Sequence, residues 1–300
     1  MAALASLLSG CSVKHTTVVK PSEAPAPAQT ATRAQLIEKY NNQASAITSL
    51  NATVTMKFSA GSAYTGVIDQ YHEIKGFILA QKPSNIRVIG QAPVIGKDIF
   101  DMESDGETFH IFIPSKNQFL MGSAKLERPS AKPIENLRPQ HLVDSIFWQP
   151  IPAASPILFE EANEGNSRFY VLTVVRHAAT EGSSDLEIAE KIWFDRANLK
   201  ISRIETYDAG GKLGSDIHYS DWEPVGAAEY PRQISLNRPA SDYDLQIGIT
   251  KLTVNEPIDA GRFHLEQPPG TQLVRVGDEA SSGDTVSGNS GGARKRESQP

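Results

Sequence analysis

The chain has 300 residues, of which 39% are hydrophobic and 21% charged, and its net charge is −6. That mixture leaves enough apolar surface for a core, and the scattered basic residues exclude the concentrated positive face that nucleic acid requires. No apolar run approaches the ~18 residues of a spanning helix, and the single cysteine excludes internal disulfides and multi-cysteine metal sites.

That cysteine closes the run Leu8-Ser9-Gly10-Cys11. The run resembles a lipobox, in which small residues admit a signal peptidase ahead of a cysteine that carries a lipid. Residues 1–11 then read as the signal, with Ala2 to Leu8 as the end of its apolar core. The stretch is short and holds no Lys or Arg, which implies an upstream start or a trimmed sequence. Residues 12–32 are rich in Thr, Pro, Ala and Ser, a composition that makes an extended tether. The alternative is an unreactive cysteine near a loose terminus. The tether behind it favours Cys11 as the lipid attachment site.

The first periodic segment is Arg33 to Leu50. Leu36, Ile37, Tyr40, Ala44 and Ile47 recur at helical steps, and Thr32 is placed to cap the start. The period then changes to two, with Val54, Met56 and Phe58 on one face of a strand. Further strands are predicted at Gly66–His72, Lys75–Gln81, Asn85–Gln91, Asp98–Glu103, Thr108–Ile113 and Gln118–Met121, joined by turn residues such as Asp105-Gly106. Lys125–Pro156 interrupts this pattern and holds one short helix that starts at Pro139, with Leu142, Val143, Ile146 and Phe147 on its apolar side. Strands resume at Arg168–Val175, Ala189–Asp195, Lys200–Tyr207, Lys212–Tyr219, Arg232–Asn237 and Tyr243–Val254. Residues 277–300 are Gly/Ser-rich and read as a disordered tail.

So many antiparallel strands in one sheet must curl, and the apolar helix faces must be covered. The expected fold is mainly β with α: a strongly curved antiparallel sheet forming an open, incomplete β-barrel, with helices covering the concave side. The barrel domain is expected over 33–276.

Several short motifs then carry a likeness. Lys75-Gly76-Phe77, Lys82-Pro83-Ser84-Asn85-Ile86-Arg87, Ser104-Asp105-Gly106-Glu107-Thr108 and Ile113-Pro114 with Gln118 resemble the first half of the bacterial lipoprotein carrier and receptor family (LolA and LolB). Ala189–Asp195 followed by Lys200–Glu205, and Asn255 to Thr271 with Pro268-Pro269-Gly270-Thr271, resemble its second half. The resemblance covers about Arg33 to Val276 in order and spacing, through short, degenerate motifs. It implies a lid of helices over a hydrophobic cavity for acyl chains. Cys11 matches the receptor-like, lipid-anchored arrangement. The resemblance also implies a protruding loop with an exposed apolar residue, here Val94 or Ile95, whose alternative is packing at the barrel end. It further implies an arginine that holds the lid, and Arg87 lies in the matching region. The same fold also resembles a periplasmic stress sensor, so fold alone does not decide function.

Catalytic chemistry finds little support. The seven histidines never take a paired metal-helix spacing such as H-E-x-x-H. Gly288-Asn289-Ser290-Gly291-Gly292 matches G-x-S-x-G outside any strand-to-helix context. Asp101 to Gly106 lacks the ligand spacing of a calcium loop, and Glu160 and Glu161, adjacent on a strand, face opposite sides. No metal, no cofactor and no enzymatic activity are expected.

What remains is apolar area. Candidate cavity residues are Val54, Met56, Phe58, Phe77, Leu79, Phe100, Met102, Phe109, Ile111, Ile192 and Phe194, each of which also fits an ordinary core. A cavity covering about ten methylenes gains roughly 8 kcal/mol before ordering costs. The expected protein is a monomeric envelope lipoprotein, held at the outer membrane facing the periplasm by its N-terminal lipid. Its expected partners are acyl chains or lipoproteins and a periplasmic carrier protein. The competing expectations are a regulatory or assembly lipoprotein of the same fold, and a hydrolase with an unrecognised site.

Overall fold

The computed structural model describes residues 27–61, 69–70, 72–93, 95–124, 138–178 and 185–276. Cys11, Val94 and the segments 12–26 and 277–300 lie outside them. The elements run α1 (Arg33–Ala46), β1 (Ser49–Ala60), β2 (Asp69–Gln70), β3 (Ile74–Gln81), β4 (Asn85–Gln91), β5 (Asp98–Ser104), β6 (Thr108–Ile113) and β7 (Gln118–Ser123). Then follow α2 (Pro139–Ile146), β8 (Ile157–Glu164), β9 (Ser167–His177), β10 (Leu186–Asp195), β11 (Lys200–Tyr207), β12 (Leu213–Val225), β13 (Ala228–Arg238), β14 (Tyr243–Val254) and β15 (Gln272–Val276).

One sheet holds every strand of the described residues, in the order β15-β7-β6-β5-β4-β3-β1-β14-β13-β12-β11-β10-β9-β8, with β2 paired to β1. Two antiparallel meanders meet where β1 pairs with β14. The edges β15 and β8 stand at opposite ends of the order, so the curve stays open. The expected open, incomplete barrel is the observed fold.

Helix α1 begins as its residues dictate. Gln35 N–H donates to the Thr32 hydroxyl and Thr32 N–H donates to the Gln35 side chain, a reciprocal cap. The helix stops at Ala46, four residues short of the expected Leu50. Asn255 is the cause: its carbonyl accepts from Thr48 N–H at 2.8 Å while its amide donates to Ala46 O at 2.7 Å. Thus one side chain satisfies an orphan helix carbonyl and turns the chain into β1.

Two strands escaped the sequence. β8 reads Ile-Leu-Phe-Glu-Glu-Ala-Asn-Glu and is exposed on both faces over most of its length, so no alternation marks it. β15 pairs in parallel with β7, reached by a crossover from β14 that no hairpin signal announces. Of the expected strand Gly66–His72, Asp69–Gln70 pairs with β1 and 66–68 lie outside the described residues.

The antiparallel order sorts the turns onto two rims. One, here the proximal rim, carries turns 82–84, 105–107, 165–166, 196–199 and 226–227; the distal rim carries 92–97, 114–117, 208–212 and 239–242. The chain enters at the proximal rim, where Gln29 bonds to the main chain of Arg196 and Ala197 at 2.7 and 2.9 Å. α1 lies across that rim: Gln43 donates to Glu229 O and Lys82 to Ala44 O.

The core sits inside the curve. Leu36, Tyr40 and Ala44 of α1 and Leu142, Val143 and Ile146 of α2 are buried together with Leu50, Ala52 and Val54 of β1, Ile86 and Val88 of β4, Leu172 of β9, Ile192 and Phe194 of β10, and Ile234 and Leu236 of β13. Each of the Val, Leu, Ile and Phe side chains contributes about 1.5–3 kcal/mol on leaving water.

Candidate functional site

The concave face is the place where the fold could receive a ligand. Alternation and register assign its residues. Val54 and Met56 stand opposite Ile249 and Ile247 of β14, and on the other side opposite Gly76 and Ile74 of β3. Continuing outward, Gly90 pairs with Phe100, Val88 with Met102, Met102 with Ile111 and Ser104 with Phe109. In the second meander Ile192 pairs with Leu172 and Phe194 with Tyr170. The register thus brings Val54, Met56, Phe58, Phe100, Met102, Phe109, Ile111, Ile192 and Phe194 onto the concave face.

Phe77 and Leu79 are a correction. Ala52 pairs with Ile78 and Leu50 with Ala80, so it is Ile78 and Ala80 that face inward. Phe77 and Leu79 point to the convex side, and Phe77 is 43% exposed. The stretch Phe77-Ile78-Leu79-Ala80 is apolar throughout, so its parity is unreadable without the partner strand.

The interior is filled. Val54, Ile86, Ile192, Phe194, Leu172, Tyr230 and Ile234 have essentially no surface accessible to water. The occupant is α2 with its continuation to Ile151: Phe147, Trp148 and Ile151 are buried in the same cluster as the sheet. The Trp148 ring stacks on Trp222 at 5.7 Å and meets Tyr219 edge-on at 5.4 Å. The hollow for acyl chains that the family likeness implied is therefore occupied by the protein's own side chains. A cavity of about 660 Å³ opens elsewhere, at the proximal rim between the polar face of α1 (Glu38, Lys39, Asn42) and the β12–β13 turn.

A few polar bonds fix this apolar insert. Tyr219 OH donates to Ser145 O at 3.1 Å and Tyr230 OH to Ile146 O at 2.8 Å. Both carbonyls lie in the last turn of α2, where backbone acceptors lack helical partners. Burial holds both phenols well above their ordinary pKa, so they remain donors. Ile151 N–H donates to the Asn41 side chain at 2.8 Å, tying the insert to α1. Tyr243 OH and His141 share a hydrogen bond at 2.7 Å. Burial, with Arg238 and Arg138 adding to it, lowers His141 to about 3, so the ring is neutral.

Lys82 joins the two helical segments. Its ammonium donates to Ala44 O, at the C-terminal end of α1, and to Trp148 O at 3.1 Å, and it stands 5.5 Å from the Phe147 ring centroid. A cation is favoured at a helix C-terminus. Burial lowers its pKa.

Arg87 does something else. It forms a two-pronged pair with Asp101 at 3.0 and 2.7 Å on the convex face. It also donates to the carbonyls of Arg262 and His264. It holds the crossover strap between β14 and β15, whereas Lys82 holds the helices. Lys82 stands in one of the motifs that carry the family likeness, and nothing in its neighbours assigns it this role; Tyr219 reads only as the end of a strand, and Tyr230 lies just ahead of the expected strand Arg232–Asn237.

Ile95 lies in the β4–β5 loop, turned by bonds Ala92 N–H to Lys97 O and Gly96 N–H to Ala92 O, and is 73% exposed. The histidines form ordinary pairs: His110 with Glu103, and His218 with Asp216 at 3.2 Å. Glu161 pairs with Arg196 at 2.6 Å. Among the described residues no group of three or more His, Cys, Asp or Glu is placed to hold a metal, and no helix is long and apolar enough to cross a membrane.

Similar folds exist among solved structures. A LolA superfamily protein from Nitrosomonas europaea has a TM-score of 0.46 and 13% identity over 79% of this chain and 99% of its own. A DUF1329 family protein from Desulfovibrio piger has a TM-score of 0.47 and 14% identity over 76% and 94%. A putative outer membrane lipoprotein-sorting protein domain from Vibrio parahaemolyticus has a TM-score of 0.47 and 10% identity over 77% and 94%. No family profile and no curated protein sequence matches the chain.

Proposed function

We propose that the chain is a cell-envelope lipoprotein, anchored through Cys11 at the outer membrane facing the periplasm. In this reading it takes up an acyl chain, or the lipid of a lipoprotein, beneath α2 and passes it on, with a periplasmic carrier protein as donor. The observation that carries the reading is the way the insert is held. An apolar segment rests on an apolar sheet face and is fixed by end-on polar bonds from Lys82, Tyr219, Tyr230 and Asn41. Its withdrawal would bare a continuous apolar surface. A chain of about ten methylenes seated there recovers roughly 8 kcal/mol, so one apolar occupant replaces another at small net cost.

The filled interior favours a second reading, a regulatory or assembly lipoprotein of this fold that acts through protein contacts. Native mass spectrometry of the full Cys11→Ser chain with added palmitate separates the two. The first reading expects one bound palmitate, with higher occupancy in Lys82→Met, whose insert is loosened. No bound palmitate in either protein would leave the second. Changing Val94 and Ile95 together to Glu should abolish transfer with the fold intact. An unmodified Cys11 in the native host would remove the anchor.

A further inference from the structure

Among the described residues six large hydrophobic side chains are exposed toward the distal rim: Ile95, Ile99, Leu158, Phe159, Leu186 and Leu273. Ile99, Leu158 and Leu273 are each the second residue of a strand that starts at that rim, and Leu186 is the first. Leu158 and Leu186 are 64% and 56% exposed. Among the described residues the proximal rim bears no exposed large hydrophobic side chain; Phe77, mid-strand on the convex face, is the remaining exposed one.

Their distribution selects the partner. β15 and β5 lie on one flank of the sheet and β10 and β8 on the other, with β8 and β15 at its two extremes. Leu273 shares the convex face with its neighbour Phe119, and Leu158 alternates away from Phe159, which pairs with Leu172 on the concave side; Phe159 apart, the strand residues of the set point outward around the end rather than into the mouth. A ligand in the curve meets none of the outward residues. A globular partner narrower than the barrel end covers part of the ring. A flat, deformable apolar layer meets all of them together.

We infer that the distal rim is a collar that dips into the interface of a lipid bilayer. One or two residues of strand correspond to ~3–7 Å of depth, within the ~5–10 Å at which interfacial elements bury their apolar side. Lys97, Lys116 and Lys212 alternate around the rim with Asp98, Glu187, Asp208 and Asp242, so the collar has no single-sign field and takes zwitterionic lipid. The choice of membrane rests on the reading of Cys11. The sixteen residue steps from Cys11 to Pro27 reach up to ~55 Å, more than the ~40 Å length of β1. A chain anchored through its proximal end can therefore lay its distal rim on the same leaflet.

Co-flotation of the full, unacylated Cys11→Ser chain with phosphatidylcholine vesicles tests this. The chain should float, and replacing Ile99, Leu158, Leu186 and Leu273 by Glu should lower its partition at least about tenfold. Ala197→Glu with Ala227→Glu, at the proximal rim, should leave flotation unchanged. If the fourfold variant fails to fold, Leu158→Glu with Leu186→Glu reads the same loss. Absence of flotation, equal flotation of the rim variants, or flotation only on anionic vesicles would each overturn the collar. So would a vesicle-free dimer that the rim changes abolish, which would assign the surface to a second copy. Because no anchor is present in the assay, its failure is separable from failure of the proposed function: palmitate uptake is read on its own, and the rim variants retain it.

Discussion

The phenol of Tyr40 donates to the carboxylate of Glu190 at 3.3 Å, joining α1 to the middle of β10 beneath the proximal rim. Burial raises the Glu190 carboxyl from 4.5 to about 7, with the Tyr40 bond opposing the shift. The folded chain therefore binds this proton more tightly than the unfolded chain does. Its stabilising contribution is complete below about pH 4.5 and is lost as pH rises through about 7. Glu190→Gln should gain on the order of 1–3 kcal/mol relative to the native chain between pH 5 and pH 8. Urea midpoints at the two pH values measure it, and a difference that does not change with pH would refute the assignment.

His141 works in the opposite sense. Its folded pKa of about 3 lies below the ordinary 6.5, so its contribution is present above about pH 6.5 and fades as pH falls toward 3. The two groups offset one another between pH 4.5 and 6.5. His141→Gln should therefore lose less stability on acidification than the native chain, read from thermal midpoints at pH 5 and pH 7.

Removing the Lys82 ammonium leaves the Ala44 and Trp148 carbonyls without their donor. Lys82→Met should cost about 1.5–3 kcal/mol. Hydrogen exchange should quicken in Pro139–Ile151 more than in β10 or β13. Uniform acceleration across the sheet would show that Lys82 supports the fold at large and not the insert.

Arg87→Met should act on the convex side. The strap loses its donor at Arg262 and His264, and Asp101 loses its partner. A loss of about 2–3 kcal/mol is expected, with faster exchange at Gly261 to Leu265 and the helical insert unchanged.

Gly76 tests the packing itself. A Cβ built there would stand 2.5 Å from Met56 Cε and 2.6 Å from the Ile89 carbonyl oxygen. The methionine can swing aside, but the backbone oxygen belongs to the β3–β4 ladder. Gly76→Ala should cost about 1–3 kcal/mol as overpacking, measured by chemical denaturation.

Much of this architecture is legible in the residues. The bounds of β4, β6, β11 and β14 follow from alternation between turn residues, and Thr32 and Pro139 mark the two helix starts. What alternation misses has physical reasons. β8 lacks a buried face, β15 depends on a distant parallel partner, and the apolar run through Phe77 and Leu79 hides its parity. The filled interior was hidden for a deeper reason. An inward-facing Ile192 or Val54 has the same neighbours in sequence whether it lines a hollow or belongs to a filled core.

The junction of the two meanders has a consequence for how the chain acquires its structure. Thr250 and Thr53, bonded across β14 and β1, lie 197 positions apart. β1 therefore waits with one edge open until β14 has emerged, and β7 waits longer still for β15. Closing contacts of such long range makes folding slow and leaves strand edges exposed to aggregation. A chain delivered vectorially from its N-terminus would need those edges shielded during delivery, and removal of the last strand should trap it with β7 unpaired.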